Sequence, residues 1–399
     1  MVRSTTSRTA FRAAVCLTLT GALSALALPG AWAAIPSENA SATYMVDSRA
    51  WVAKAAGGVI WVGGTSDRYM TPTRAAGPVA RGLAAFDPAT GRPADVRIPN
   101  LGATPIVYDM AMGPNGTFYV AGAFSYTFGG RDRQNLVGIN PTTGVIVAGF
   151  STPRLRTVLA TQDRIYAGGI RLEAYRLDGA RDNRFRTVTA EIDPSLRTHD
   201  TQRQFRDLVV SGPTDIIAIG AFDSINGAPQ KVAVKLDGAT GQPRSWRLAN
   251  IAPTSAAFGL SGVVSGDRLY VAAGGSDFTG AYRVADGSQV WKTDTSGSTQ
   301  VVNVYDSSTV VIGGHFEWVA RSPGQQCGSN QHPTTSCFFQ PRLAALSTAD
   351  GRVSTSYTPR ICCNYTGVWG IAVRTGDLHV AGAFTRAGTR TQYHYAKFG

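Results

Sequence analysis

A short apolar run that ends in glycine recurs seven times along this chain, and this repetition constrains the fold more than any other feature. The letters VAGAF occur at 120–124 and again at 380–384, with IGAF at 219–222 and IGGHF at 312–316. The mean spacing of about 53 residues is a period typical of repeat architectures. The runs start at Ile60, Phe118, Ile165, Ile216, Leu269, Val310 and Leu378.

Each repeat places the same segments in the same order. A first β-rich strand such as IVYDMAM at 106–112 is followed by a tight turn such as GPNG at 113–116, and then by the glycine-ending strand. A third strand such as KVAVKL at 231–236 leads to a turn of the DGATG type at 237–241 and to a more polar fourth strand. Gly, Asp and Asn supply the positive φ angles and side-chain caps of hairpin turns. Four antiparallel strands per repeat predict the blade of a β-propeller.

We therefore expect an all-β fold in which residues 34–399 form a single seven-bladed β-propeller of four-stranded antiparallel blades. The last unit ends after its third strand at 393–398, so residues 41–46 are expected to add the missing fourth strand and close the ring. Closure hides the strand edges that would otherwise aggregate. In this interpretation the VAGAF residues are core: small residues let inner strands converge, and the phenylalanine fills the wedge between blades.

Residues 1–33 have the pattern of a secretory signal peptide. Arg3, Arg8 and Arg12 precede an apolar run at 13–28, and Ala31-Trp32-Ala33 has the small-x-small form of a cleavage site. The run is too short for a convincing membrane anchor. We expect a secreted, extracellular protein without membrane insertion.

The chain carries a net charge of +12, of which the arginines of the signal segment contribute three. Nearly all the remaining excess is arginine, which suits bidentate contact with carboxylates and phosphates. An anionic extracellular polymer is one interpretation of this charge, and a genome that favours arginine codons is the other. The arginines are scattered rather than clustered, so nucleic acid is not an expected partner.

The repeats resemble those of secreted bacterial β-propellers called delta-sixty repeat proteins, found widely in actinobacteria. RLDGARDNRF at 176–185 is similar to the strand–turn–strand core of that family, and the G-A-F, N-G and D-x-x-T-G elements recur at 220–222, 226–227 and 237–241. The resemblance covers most of the chain after the signal segment, with insertions near 60–80 and 317–340. It implies the fold and an extracellular location, and it implies no settled activity and no catalytic residues.

Four cysteines fall in two loops of the sixth unit, Cys327 and Cys337 in the long insertion and Cys362 and Cys363 after the fourth strand. Export favours disulfides. Of the three possible connectivities, we favour two bonds that cross between the loops. The alternative is a local Cys327–Cys337 bond beside a bond between the adjacent Cys362 and Cys363.

The loops on the face that bears this insertion are the predicted ligand surface, since rigid scaffolds commonly present function on loops. Aromatic residues there could stack on a sugar or peptide, with histidines and arginines donating hydrogen bonds. The alternative is that Trp369 is core of its strand, that Trp318 covers the insertion and that the arginines form a solvated rim. The candidate residues are His315, Glu317, Trp318, His332, Tyr365, Arg131, Arg133, Arg386 and Arg390.

No catalytic motif is present in the sequence: there is no G-x-S-x-G, H-E-x-x-H, Walker or EF-hand pattern. The histidines lack the spacing of metal ligands, and no carboxylate pair suitable for glycoside hydrolysis is evident. We expect a non-enzymatic binding module with no cofactor and no metal, whose partner is a carbohydrate or other surface polymer. The alternatives are a lyase or hydrolase acting on an acidic glycan, and a structural scaffold for another secreted protein.

Overall fold

The computed structural model describes residues 37–193, 195, 203–364, 366–374 and 376–399. Its regular elements, within these residues, are 34 β-strands arranged in ten sheets whose strand pairings are antiparallel. The prediction of an all-β fold is confirmed. The predicted signal peptide lies outside the described residues. None of the described residues forms a helix with the length and apolar character needed to traverse a lipid bilayer.

The strands have the following bounds. The first seventeen are β1 (Met45–Val46), β2 (Ala50–Ala56), β3 (Val59–Gly64), β4 (Arg68–Met70), β5 (Ala76–Val79), β6 (Leu83–Phe86), β7 (Ile106–Met112), β8 (Phe118–Phe128), β9 (Arg131–Ile139), β10 (Ile146–Gly149), β11 (Thr157–Ala160), β12 (Arg164–Gly168), β13 (Arg171–Arg176), β14 (Val188–Glu191), β15 (Gln204–Val210), β16 (Asp215–Ala221) and β17 (Ser224–Ile225). They continue with β18 (Ala228–Pro229), β19 (Ala233–Asp237), β20 (Phe258–Ser265), β21 (Arg268–Gly274), β22 (Phe278–Arg283), β23 (Gln289–Asp294), β24 (Thr299–Val304), β25 (Thr309–Gly314), β26 (Trp318–Ala320), β27 (Cys337–Phe339), β28 (Leu343–Ser347), β29 (Ile361–Cys362), β30 (Gly367–Arg374), β31 (Asp377–Ala383), β32 (Arg386–Ala387), β33 (Arg390–Thr391) and β34 (Tyr395–Phe398).

Seven sheets follow one plan, and we call them repeat sheets one to seven. In each, a first strand forms a hairpin with the glycine-ending second strand, which pairs on its other side with a third strand. They are β2-β3-β6, β7 to β10, β11 to β14, β15-β16-β19, β20 to β23, β24-β25-β28 and β30-β31-β34, of which the third continues from β14 into β17 and β18. Their first strands are neighbours in chain order, and β30 of the last sheet also packs against β2 of the first.

The recurring glycine has a steric cause. A Cβ atom on Gly122 would lie 1.9 Å from the carbonyl oxygen of Ile106, at the start of the paired first strand. The equivalent distance is 2.2 Å at both Gly220 and Gly314. Beside this contact the pairing of first and second strands shifts register by one residue, as between Val107 and Asp109. A β-bulge of this kind turns one extra side chain away from the ladder.

The phenylalanine of the repeated motif is core, as expected. Phe222, Phe316 and Phe384 are fully buried, and Phe124 is nearly so. Each lies in a cluster that combines residues of two neighbouring repeat sheets. Another cluster combines the first and last repeat sheets, where the rings of Phe86 and Tyr395 stack with centroids 4.0 Å apart.

A left-handed residue precedes the third strand in several repeat sheets. Val232 has φ 68°, Arg342 φ 68° and His394 φ 62°. In each case the amide of the second-strand glycine donates to the carbonyl oxygen of this residue, as from Gly314 N to Arg342 O at 3.1 Å. The strained backbone at Arg342 is therefore part of the repeat and not a peculiarity of one site.

The fourth strand is less regular than predicted. Repeat sheets two, three and five have it as β10, β14 and β23. Sheets one, four and six show single bridging pairs instead, Phe86 with Pro93, Leu236 with Pro243 and Leu346 with Val353. In the first and fourth sheets the bridging residue is a proline, which cannot donate a ladder hydrogen bond.

The N-terminal segment also departs from expectation. Repeat sheet seven has three strands, and Met45 and Val46 pair with Tyr69 and Met70 of β4 in a separate sheet. Burial explains this choice, because Met45 and Val46 are almost completely enclosed there. One backbone hydrogen bond, from Ser41 N to Lys397 O at 2.8 Å, joins the segment to the last strand. The expected fourth strand is therefore absent from sheet seven among the described residues.

Candidate functional site

The insertion of the sixth unit is a small hairpin held by its own disulfide. Strands β26 and β27 pair, and Cys327 bonds to Cys337 with a Cα–Cα distance of 5.5 Å. Cys362 bonds to its neighbour Cys363. The predicted crossing bonds are wrong, and the alternative connectivity is the one observed.

The positions of the cysteines give the reason. Cys327 and Cys337 are buried together beneath Trp318 within the insertion. Cys362 instead belongs to β29 of a separate sheet, where it pairs with Arg386 of β32. The two disulfides are therefore separate local constraints. They are typical of a protein that works in an oxidising or extracellular environment.

The predicted ligand residues near the insertion occupy different surroundings. Trp318 packs edge-on against Phe339, with ring centroids 5.0 Å apart, and covers the Cys327–Cys337 bond. His315 is half-buried, and burial lowers its pKa. Glu317 lies 3.5 Å from an Nη atom of Arg342. His332 lies in an exposed turn of the insertion. Tyr365 is outside the described residues.

The predicted arginines lie on two other hairpins. Arg131 and Arg133 belong to the β8–β9 hairpin, where Arg133 pairs with Tyr126. Arg386 and Arg390 belong to the β32–β33 hairpin. Glu317 and Arg386 line one cavity of about 700 Å³, which we call the rim pocket. The other candidates among the described residues do not line it, so the structure does not unite these residues in one site.

A second cavity of about 350 Å³ lies where the first strands of the seven repeat sheets converge. We call it the central cavity. Six repeat sheets contribute to it the residue at the bulge, where the first strand meets the glycine-ending strand. The third sheet, whose β11–β12 pairing has no register shift, contributes Arg156, which directly precedes β11. These seven side chains, the bulge ring, are Trp51, Tyr108, Arg156, Arg206, Leu260, Gln300 and Trp369.

One side of the bulge ring is aromatic. The rings of Trp51 and Trp369 meet edge to face with centroids 5.2 Å apart, and Trp51 is 6.3 Å from Tyr108. The guanidinium of Arg156 lies over the face of Tyr108 at 4.0 Å, a cation–π contact. The cavity wall thus combines flat apolar faces with cationic donors.

Several polar atoms of this wall have no hydrogen-bond partner among the described residues. They are the indole Nε1 atoms of Trp51 and Trp369 and the Oε1 atom of Gln300. Gln300 is 94% buried, with 6% of its surface exposed, and its Nε2 atom contacts Nδ1 of His315 at 3.3 Å. Rotating the side-chain amide of Gln300 by a half-turn would exchange the positions of Oε1 and Nε2. In either orientation, therefore, one of these two atoms lacks a partner among the described residues. Buried polar groups are normally paired, which marks this wall as a place for a polar ligand.

Two carboxylates also face the central cavity, and both tie neighbouring sheets together. Oδ2 of Asp109 accepts from Thr157 Oγ1 at 2.8 Å and from Val158 N at 3.0 Å, both on the next sheet. Asp207 accepts in the same way from Ser261 Oγ at 3.0 Å and from the next backbone amide at 2.8 Å. Burial raises the pKa of Asp207 and raises the pKa of Asp109 to about 6, with Lys54 opposing both shifts.

Sequence reasoning missed the bulge ring as a set. It treated Trp369 either as part of a platform on the insertion or as core, and it did not group the other six residues with it. Aligning the seven first strands would have revealed one column of large side chains, because each stands 13 or 14 residues before the motif glycine or, in the fifth unit, before Ala273. Within the described residues, no group of three His, Cys, Asp or Glu side chains is arranged to hold a metal ion.

No protein-family model matches the sequence, and no curated protein matches it. Solved structures do match the fold. They include the WD40 β-propeller domain of Doa1, with a TM-score of 0.51 and 9% identity over 90% of this chain and 96% of that chain. U3-55K gives a TM-score of 0.55 and 6% identity over 90% and 99%.

The computationally designed protein Ika8 gives a TM-score of 0.50 and 12% identity over 90% of this chain and 99% of that one. These likenesses show that the chain has a β-propeller-like fold. At such low identities they carry the fold alone, so the use of the central cavity has to be argued from its own residues.

Proposed function

We propose that this protein is a secreted, non-enzymatic binding module whose central cavity takes a carbohydrate. The observation that carries the proposal is the bulge ring, seven side chains from seven sheets that converge on one cavity. The proposal moves the ligand from the predicted loop surface to the axis of the molecule.

The proposal includes a closed ring of seven blades. Its support is the packing of β30 against β2 and the stacking of Phe86 on Tyr395 between the first and last repeat sheets. Membership of the delta-sixty repeat group is part of the same proposal and rests on the recurring G-A-F, N-G and D-x-x-T-G elements.

A carbohydrate suits the chemistry of this wall better than an apolar ligand does. The rings of Trp51, Trp369 and Tyr108 offer flat faces against which the C–H groups of a sugar ring can pack. Sugar hydroxyls both accept and donate, so they can satisfy the indole N–H groups and the unpaired amide atom of Gln300 together. A few placed polar groups on an aromatic wall are typical of small-molecule sites.

Secretion is proposed from two independent features. The first 33 residues have the pattern of a signal peptide. The disulfides Cys327–Cys337 and Cys362–Cys363 fit an oxidising compartment. An extracellular polysaccharide is the ligand such a location would offer.

Co-sedimentation with a panel of neutral and acidic polysaccharides, at low and high salt, tests the proposal. Trp369→Ala should weaken binding at least about tenfold, the effect of losing about 1.4 kcal/mol. The matched variant Trp318→Ala removes the same side chain from the insertion and should bind like the parent. The reverse pattern would return the site to the insertion and overturn the proposal.

An enzymatic role is the second candidate, because Asp109 and Asp207 face the same cavity and both have raised pKa values. The binding role is preferred because each carboxylate already accepts hydrogen bonds that join two sheets. Following ultraviolet absorbance and reducing ends in the same samples separates the two roles. An unsaturated product would identify a lyase and new reducing ends a hydrolase. No binding and no product would favour a scaffold for a protein partner.

A further inference from the structure

The rim pocket stands apart from the central cavity and has a chemistry of its own. It lies where the insertion hairpin, strands β29 and β32 and the N-terminal segment meet. Its volume is about 700 Å³. The side chains that matter here are Glu317, Phe339, Arg342, Arg360, Cys362 and Arg386.

The pocket has more cationic than anionic groups free to meet a ligand. Glu38, one of its two carboxylates, accepts from Thr358 N at 2.6 Å and from Thr358 Oγ1 at 2.8 Å. The other, Glu317, approaches Arg342 at 3.5 Å, which is long for a charged pair. Among the described residues, Arg360 and Arg386 form no ion pair.

Arg342 forms the inner wall and still has a donor to offer. Its side chain is only 12% exposed. One Nη atom donates to Ile361 O at 3.3 Å, whereas the buried Nε atom has no partner in the described part of the chain. A buried N–H without an acceptor is costly, and a carboxylate oxygen would satisfy it.

An apolar surface lies next to these guanidinium groups. Phe339 is 40% exposed, although its ring meets Trp318 on one side. Arg360 lies 6.0 Å from the same ring. A ligand that reached the arginines would therefore lie against an aromatic face.

The walls of the pocket are fixed in place. Cys362 and Cys363 are joined in β29 and the turn after it, and the Cys327–Cys337 bond holds the insertion. Asn39 accepts from Thr389 N at 2.9 Å and fastens the N-terminal segment to the β32–β33 hairpin. A pocket formed in advance loses less entropy on binding.

We propose that the rim pocket is a second binding site, for a small ligand that carries a carboxylate beside an apolar face. The carboxylate meets Arg342, Arg360 and Arg386, and the apolar face lies on Phe339. The ligand can be a sugar acid, whose C–H face is apolar, or an aryl or alkyl acid. The site is independent of the central cavity and of its proposed carbohydrate.

Isothermal titration calorimetry on the purified protein tests the site with methyl β-D-glucuronide and with 3-phenylpropionate. Methyl β-D-glucoside and 3-phenylpropanamide are the uncharged counterparts. We expect at least one of the acids to bind and neither uncharged probe to do so. Binding of the glucuronide identifies a sugar acid as the ligand class, and binding of 3-phenylpropionate identifies an apolar acid.

The variant Arg360→Gln/Arg386→Gln should weaken binding of the acid at least about tenfold, because charge-assisted hydrogen bonds are lost. Arg390→Gln removes an exposed arginine from the same β32–β33 hairpin, outside the pocket, and should change affinity less than about twofold. Trp369→Ala should leave this affinity intact even if it abolishes carbohydrate binding. The proposal is overturned if neither acid binds, if the uncharged probes bind as well, or if Arg390→Gln is as damaging as the double variant.

Discussion

In six of the seven repeat sheets a glycine connects the repeated sequence to the shape of the central cavity, and in the fifth sheet Ala273 takes its place. At Gly122, Gly220 and Gly314 the carbonyl oxygen of the first strand comes so near that any side chain would collide with it. The same approach creates the bulge that turns the next residue toward the axis. The glycine is thus needed for steric reasons, and the neighbouring residue in the cavity is left free to vary.

Replacing Gly122 with alanine should destabilise the protein by about 1–3 kcal/mol, the usual cost of overpacking a well-packed region. The backbone oxygen of Ile106 lies 1.9 Å from the new Cβ and cannot move aside without disturbing the bulge. Chemical denaturation measures the change. Gly212→Ala is the control, because no atom lies within 4 Å of its added Cβ, and it should stay within about 0.5 kcal/mol of the parent. Equal effects at both positions would refute the steric account.

Adjacent repeat sheets are joined by buried polar side chains as well as by apolar clusters. Asp109 and Asp207 occupy the same position in the second and fourth sheets, and each accepts hydrogen bonds from the next sheet. Asn303 of the sixth sheet donates instead, to Ile371 O at 3.0 Å. These contacts fix the angle between sheets and so the width of the cavity.

Asp109 should make stability depend on pH. Burial raises its pKa to about 6 in the folded protein, whereas an unfolded aspartate titrates near about 4. The folded state therefore holds the proton more tightly, so the free energy of unfolding should fall by about 3 kcal/mol as the pH rises from about 4 to about 6. Denaturation across this range measures the fall.

Asp109→Asn should remove the contribution of this residue to the fall in the free energy of unfolding with rising pH. Thr157→Val, which keeps the carboxylate but deletes a donor to it, should steepen the fall because the charged form loses a hydrogen bond. If the free energy of unfolding of Asp109→Asn depends on pH as that of the parent does, Asp109 is not the cause of the pH dependence.

The two disulfides can be mapped by mass spectrometry without reduction. Trypsin should release one peptide with both Cys327 and Cys337, at 322–342, and another with Cys362 and Cys363, at 361–374. With the observed connectivity each peptide should appear separately, lighter by its two lost thiol hydrogens. A single mass that joins the two peptides would instead establish the crossing bonds.

The strands were easier to predict than the site, for physical reasons. The β8 strand begins at Phe118 as expected, because apolar runs ended by glycine are local signals. Fourth strands were predicted at Pro93 and Pro243, where the structure has only single bridging pairs. The disulfide connectivity depended on hairpin geometry that the spacing of the cysteines does not reveal. A bulge shifts the alternation of side chains by one residue, so the shared direction of Tyr108 and Trp369 cannot be read from the alternation within either strand alone.

The first and last repeat sheets meet through buried side chains, which gives the molecule no internal boundary among its described strands. Phe86 and Tyr395 are both fully buried and come from opposite ends of the chain. Because each sheet shares a cluster with its neighbours, loosening one junction weakens the packing of the others. We therefore expect the described part of the chain to unfold as one cooperative unit.

Phe86→Ala should lower stability by about 3–5 kcal/mol, the typical cost of removing a buried phenylalanine side chain. Near-ultraviolet and far-ultraviolet circular dichroism should report one coincident thermal transition at a lower temperature. Phe339→Ala, at a half-exposed ring, should shift the transition far less. Two separated transitions in Phe86→Ala would mean that the junction is not shared by the whole molecule.

The residues that would determine ligand preference, those of the bulge ring, are different from the residues that determine the backbone of the scaffold. When a unit is duplicated, replacing the glycine costs stability, whereas the codon for the bulge residue can change without altering any core cluster. Descendants of one such scaffold can therefore diverge in ligand preference while their backbones stay the same. For protein engineering, a library randomised at only the seven codons of this ring would sample new recognition within a constant frame.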